Sequence, residues 1–249
     1  MAPGPVKLIA YAQNAEDIVL MRAFEHQPAG FYVDIGAGHP TEGSLTKNLY
    51  DRSGWRGINL EPHPGVFAEL AAARLRDINY QCAIGSRPGR AAFGILTGNW
   101  GMSSLDAGVV GRHIQNGWEA TSIEVEVIRL ETILTKYAKP NFDMLKIDVE
   151  GREADVLASF DLCQWTPRVL VIEATAPGTT VPSHREWEPA VLKCGYQLAL
   201  FDGLNRFYAR RDEPDLLSRL MVPANVFDRY IHYQWWKLLP SSTQAELLT

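Results

Sequence analysis

Apolar positions along this chain fall into two rhythms. Short runs with apolar centres recur at 31–35, 57–61, 78–84, 143–148 and 168–173. Runs of that length, bounded by glycine, proline or acids, predict parallel strands buried on both faces. Between them lie longer segments with helical spacing, at 11–24, 44–52, 66–74, 130–137, 152–160 and 184–194. Strand and helix in alternation predict an α/β domain with helices on both faces of the sheet. Near the end, Tyr196–Phe201 and Leu204–Ala209 flank Asp202-Gly203. An Asp-Gly step between apolar runs predicts a hairpin. The expected fold is doubly wound, with a mostly parallel seven-stranded sheet that ends in an antiparallel hairpin.

Three segments break this rhythm. Arg87-Pro-Gly-Arg90 predicts a turn, with 78–84 and Ala91–Leu96 as the limbs of a second hairpin. Residues 97–122 show no clear period until Ile123-Glu-Val-Glu-Val127 alternates like a strand. A long irregular stretch in such a domain is expected to lie near substrate. The tail at 222–239 carries Phe227, Tyr230, Tyr233, Trp235 and Trp236. That stripe predicts docked core or a homo-oligomer interface. The expected organisation is one domain over 1–249, with a helical cover at 1–27, a catalytic core at 28–211 and an aromatic tail at 212–249. Within the cover, Gln13, Asn14, Glu16 and Asp17 read as a polar surface.

Composition narrows the class of partner. With 249 residues, 46% hydrophobic, the chain can bury a sizeable core. A net charge of -5 without a basic run argues against nucleic acid. No stretch approaches the ~20 apolar residues of a membrane span. Cys82, Cys163 and Cys194 form no Cys-x-x-Cys pair, and read as buried thiols of a cytoplasmic protein.

The first strand carries the chemistry. Val33-Asp34-Ile35-Gly36-Ala37-Gly38 places an acid and two glycines at a strand end. Glycine lets backbone approach a ligand closely, and a helix start just beyond favours a nucleotide-like cofactor across this edge. A dinucleotide fingerprint needs a third glycine at position 41, where Thr41 stands. A carboxylate at Asp34 opposes a pyrophosphate but suits an ammonium group. S-adenosyl-L-methionine is therefore preferred over a nicotinamide cofactor. Glu61 ends the second strand about 20 residues after Gly38, the position of a ribose-binding acid. Ala83, at the end of the third strand, completes the expected cofactor set.

The strings at 33–40, 54–62 and 144–151, with Val171-Ile-Glu-Ala-Thr175 and Phe201-Asp-Gly-Leu-Asn-Arg-Phe-Tyr208, resemble the FkbM family of S-adenosylmethionine-dependent methyltransferases. The resemblance spans roughly 8–230 and implies the Rossmann-like class I methyltransferase fold. It also implies methyl transfer to oxygen, on sugars of surface glycans or on polyketides. His-Pro-Thr-Glu at 39–42 points within the family to a sugar hydroxyl of a cell-surface glycan or glycolipid precursor. A non-catalytic nucleoside-binding module of a glycan-assembly complex is the reading from another class.

A sugar hydroxyl needs a general base or a metal to become nucleophilic. Asp148, Glu150 and Glu173 end the fourth and fifth strands and are expected to share one rim. They either hold Mg²⁺ or Mn²⁺, with Asp148 and Glu173 as ligands, or act as base and hydrogen-bonding groups. His39 is a further candidate base or ligand. His63 and His113 read as surface residues. Ser103, Ser104, Asn205 and Arg206 could each reach the cleft or serve only structure.

Overall fold

The computed structural model describes residues 6–247. Twelve strands are present among them: β1 Leu8–Ala10, β2 Phe31–Ile35, β3 Arg56–Leu60, β4 Ile78–Tyr80, β5 Ala83–Ile84, β6 Gly89–Leu96, β7 Ala120–Ile128, β8 Met144–Ile147, β9 Val169–Glu173, β10 Tyr196–Phe201, β11 Asn205–Arg210 and β12 Tyr230–His232. Seven of them form the main sheet, in the order β10-β11-β9-β8-β2-β3-β4. Its ladders are parallel except at β11, which runs against both β9 and β10. This is the expected doubly wound sheet. The chain order reverses between β2 and β8, so their carboxyl ends open a crevice.

Both faces of the sheet are covered, which is why its central strands are mostly apolar, with Asp34, Asn59 and Lys146 as buried exceptions. Val33, Ile35, Leu145, Ile147, Leu170 and Ile172 face one core with Leu134, Val156 and Trp165 from the helices. Tyr32, Met144, Val169, Val171 and Phe207 face the other. There they meet the helices Glu16–Ala23, Lys47–Arg52 and Pro214–Leu220 through Leu20, Leu49 and Leu216. Side chains alternate along β2 and β8, so Asp34 and Lys146 fall on this second face as register partners.

Several expectations need correction. The run at 78–84 splits: β4 stays in the main sheet, while β5 joins a separate sheet of order β5-β7-β6. The partner of β6 is β7, over eight antiparallel positions from Gly89↔Val127 to Leu96↔Ala120. The turn at 87–90 therefore closes no hairpin between neighbours. The alternating face of β7 supplies Val125 and Val127 to pack with Phe93, and that burial decides the pairing. The stretch at 97–122 contains a helix, Ala107–Gln115. Gly108, Gly111 and two valines hide it, yet Asp106 caps it by accepting from the N–H groups of Gly108 and Val109.

The cover and tail also differ from expectation. Strands β1 and β12 pair in parallel, so the segment just before the first helix binds the aromatic tail to the body. Glu16 and Asp17 are buried rather than a polar surface. Glu16 accepts from Asn205 Nδ2 at 2.7 Å and Asp17 from Asn48 Nδ2 at 2.7 Å. Those partners are distant in sequence, so nothing local announces the burial. His113 is buried too, and His63 is a half-buried N-cap that accepts from Val66 N–H. Burial pulls both imidazoles below their usual pKa. Cys163 and Cys194 form a disulfide, against the expected thiols; only Cys82 is a buried free cysteine. No helix among the described residues is long and apolar enough to cross a membrane.

Candidate active site at the open edge of the sheet

A cavity of about 390 Å³ lies at the carboxyl ends of β2, β3 and β8. Its floor is the loop after β2. Gly36 and Ala37 donate to the Leu60 carbonyl at 3.0 and 3.2 Å, which draws this loop onto β3. Gly36 and Gly38 both have positive φ, 71° and 63°. A Cβ on Gly36 would lie 1.8 Å from the Asp148 carbonyl oxygen, and one on Gly38 would lie 2.8 Å from the Trp100 ring. Protein, not ligand, therefore fills the space that a side chain would need. Glycine is demanded by backbone sign and close loop packing.

Glu61 closes the far wall. It is buried, and its two oxygens accept from Gly38 N–H at 2.9 Å and His63 N–H at 2.8 Å. Each oxygen keeps a further lone pair for a ligand hydroxyl. Burial pushes its carboxyl up to about 7 despite those two N–H groups. Ala83 lines the same wall beside Cys82 and Ile84. The segment Gly98–Ser103 forms the roof, and Gln13 and Gln234 complete the mouth. Thus the irregular stretch does reach the cavity, and so do the cover and the tail.

Asp34 is placed differently. It does not line the cavity but lies beneath the loop, fully buried, accepting from Thr46 Oγ1 at 3.0 Å. Lys146 Nζ stands 3.2 Å from its other oxygen. The same ammonium donates to the Gly36 carbonyl at 2.6 Å and lies 3.4 Å from Asp148. Lys146 therefore ties the ends of β2 and β8 together. Burial disfavours its charge, but Asp34 and Asp148 more than offset this and hold the ammonium ionised. Sequence reasoning passed over Lys146, although a lysine inside an apolar strand is itself a signal. Trp100, Gln13 and Gln234 had no such signal.

Asp148, Glu150 and Glu173 do converge: one oxygen from each lies within 4.8 Å of the others. The turn between β8 and the helix Glu153–Leu157 makes this possible. Glu150 sits at φ 54°, a conformation rare outside glycine, and Ser104 Oγ secures its carbonyl at 2.8 Å. Glu153 accepts from Val149 and Gly151 N–H across the same turn. Glu173 is 5% exposed and its Oε2 has no hydrogen-bond partner. Burial, then repulsion from Asp148 and Glu153, pushes Glu150 up to about 9. Burial and the neighbouring acids raise Glu173 well above the ordinary range.

None of the remaining candidates joins the three carboxylates, although Asn205 is the ladder partner of Glu173. His39 Nδ1 accepts from Thr41 and Glu42 N–H, and its Nε2 meets Glu69 at 3.0 Å. Both ring nitrogens are engaged, so His39 shapes the loop. Ser103 lines the cavity. Asn205 is committed to Glu16 and Arg206 to Glu188.

The Methyltransferase FkbM domain family matches residues 34–198, which holds the whole loop, the Glu61 wall and the acid rim. The chain belongs to the FkbM methyltransferase family. No protein of curated function matches it. The solved FkbM methyltransferase of Methylobacillus flagellatus KT is 16% identical, with a TM-score of 0.46. The match covers 73% of this chain but 44% of that one, so this FkbM chain spans under half of that protein. An O-methyltransferase from Bacillus cereus, solved with SAH, is 13% identical with a TM-score of 0.39, covering 81% and 82% of the two chains. A methyltransferase of calicheamicin biosynthesis, also solved with SAH, is 13% identical with a TM-score of 0.39, covering 79% and 54%. The strand order of this FkbM domain stands independently of those distant likenesses.

Proposed function

We propose that this FkbM domain is an S-adenosyl-L-methionine-dependent O-methyltransferase acting on a sugar hydroxyl of a cell-surface glycan or glycolipid precursor. The observation that carries the reading is the juxtaposition of two acidic features at one cavity. Glu61 offers a hydroxyl-binding carboxylate at one wall, and Asp148 and Glu150 line the same cavity, with Glu173 beside them. The cofactor supplies a methyl group already activated on a positive sulfur. Glu61 would accept from the ribose hydroxyls, and the acids lining the cavity favour a cation over a phosphate. The sugar class rests on the family resemblance.

The acid rim is where an acceptor hydroxyl would give up its proton. Glu150 and Glu173 both hold protons more tightly than ordinary carboxyls, which makes either a strong base once ionised. Glu150 lines the cavity and is the better-placed base. Asp148, Glu150 and Glu173 also suit Mg²⁺ or Mn²⁺ by donor type, and such an ion would supply charge neutralisation at the acceptor oxygen. The unpartnered Oε2 of Glu173 fits that role. Calorimetry with S-adenosylhomocysteine tests the cofactor half, and absence of binding would remove the proposal. Methyl transfer from labelled cofactor to a panel of deoxysugar glycosides tests the acceptor half. Activity untouched by EDTA and by added Mg²⁺ or Mn²⁺ would exclude the ion.

A further inference from the structure

A second cavity of about 350 Å³ adjoins the first. Leu105 and Arg152 line both, so one ligand can extend from the acid rim into this second space. The character of its wall is opposite to that of the rim. Arg87 and Arg152 both face it, in a protein whose net charge is -5. Arg87 makes no hydrogen bond or ion pair among the described residues. Arg152 donates from Nη2 to Asp155 at 3.3 Å, while its Nε is buried and has no partner. The Arg152 side chain as a whole is 41% exposed, so its remaining guanidinium N–H groups are open to a ligand oxygen.

The surrounding loop is held in place by hydrogen bonds with Asp155 and Arg129. Asp155 accepts from Ser86 N–H at 3.2 Å and also from its hydroxyl. Arg129 Nη1 donates to the Ser86 carbonyl at 3.0 Å. Asp155 is the only carboxylate lining this cavity, and Ser86 and Arg152 already occupy it. Arg87 is thus exposed and without a partner among the described residues while Arg152 pairs with Asp155, so the cavity wall carries one uncompensated positive charge. A planar guanidinium matches a carboxylate or phosphate through paired N–H donors.

We propose that this cavity is an anion subsite for the acceptor. It would take an oxyanion, a carboxylate or a phosphate ester, carried by the molecule whose hydroxyl sits at the acid rim. The acceptor would then be an acidic sugar or a sugar phosphate rather than a neutral glycoside. This inference rests on the methyltransferase reading, and deepens it by naming the charge of the substrate.

The test is calorimetry on the full chain saturated with S-adenosylhomocysteine. Methyl glucuronide, glucose 1-phosphate and neutral methyl glucoside are the titrants. Binding of either anion at least about tenfold tighter than the neutral glycoside is expected, the scale of one charge-assisted hydrogen bond. Preference for the glucuronide assigns a carboxylate, and preference for the phosphate assigns a phosphate ester. Arg87→Gln should erase that preference with S-adenosylhomocysteine affinity unchanged. Equal binding of all three, binding of none, or an Arg87→Gln protein that still prefers the anion would overturn the subsite. Failure of S-adenosylhomocysteine itself to bind is a separate result, and strikes the methyltransferase reading instead.

Discussion

Glu61→Gln is the sharpest perturbation, because it changes charge and hydrogen bonding but hardly shape. In the wild type two backbone N–H groups point at the carboxylate, one at each oxygen. Glutamine keeps one acceptor and turns the other into a donor facing an N–H. The first consequence is on the ligand. Losing a charged acceptor for one ribose hydroxyl costs ~1.5–3 kcal/mol, so S-adenosylhomocysteine should bind about 10- to 150-fold more weakly. The second consequence is on pH. Burial raises the Glu61 carboxyl from 4.5 to about 7. The raised pKa means the folded state holds this proton more tightly than the unfolded chain. Its stabilising effect is full below pH 4.5 and is lost as pH rises to about 7. The lost amount is about 3 kcal/mol at 1.36 kcal/mol per unit. Glutamine has no such loss. The variant should therefore match wild type near pH 5, where both side chains are neutral, and be the more stable of the two by pH 8. Ligand affinity of the wild type should rise with pH through about 7, while that of the variant stays flat. Calorimetry and thermal melts at pH 5, 6, 7 and 8 read both effects. A stability difference that ignores pH, together with unchanged affinity, would refute the reasoning.

Lys146→Met leaves the buried Asp34 without its cation and frees the Gly36 carbonyl; a loss of ~3–5 kcal/mol in denaturant unfolding is expected, with cofactor binding abolished. Glu150→Gln should remove most methyl transfer yet spare S-adenosylhomocysteine binding, and equal losses in both would show that Glu150 serves the fold. Because the Glu150 carboxyl is pushed up to about 9, turnover in wild type should climb with pH between 7 and 9; a profile flat over that range counts against Glu150 as base. Reduction of Cys163–Cys194 opens a loop of 31 residues in sequence separation, and melts with and without reductant should differ by ~3–4 kcal/mol.

Much of this protein is written locally. Strands such as Val169–Glu173 lie between two helical layers, so they must be apolar throughout, and that need is visible in one dimension. Asp202-Gly203 announces its hairpin in the same way, since a tight turn needs those residue types. The acids at the ends of β3, β8 and β9 are likewise readable, because the carboxyl edge of a doubly wound sheet is where ligands gather. What stayed hidden depends on partners far apart in the chain. Glu16 is buried by Asn205, and β1 exists only through β12. The role of Asp34 turned on which face of β2 it occupies, and a strand buried on both faces gives no alternation from which to tell. The two-residue β5 was claimed by β7 because Val127 needed burial there. The class of sheet and the acids at its strand ends were thus set by residue type and spacing alone. Which acid faces the cavity, which supports it from below, and which arginines wait beside it were decided in three dimensions, where burial and hydrogen bonding join residues that the linear chain keeps apart.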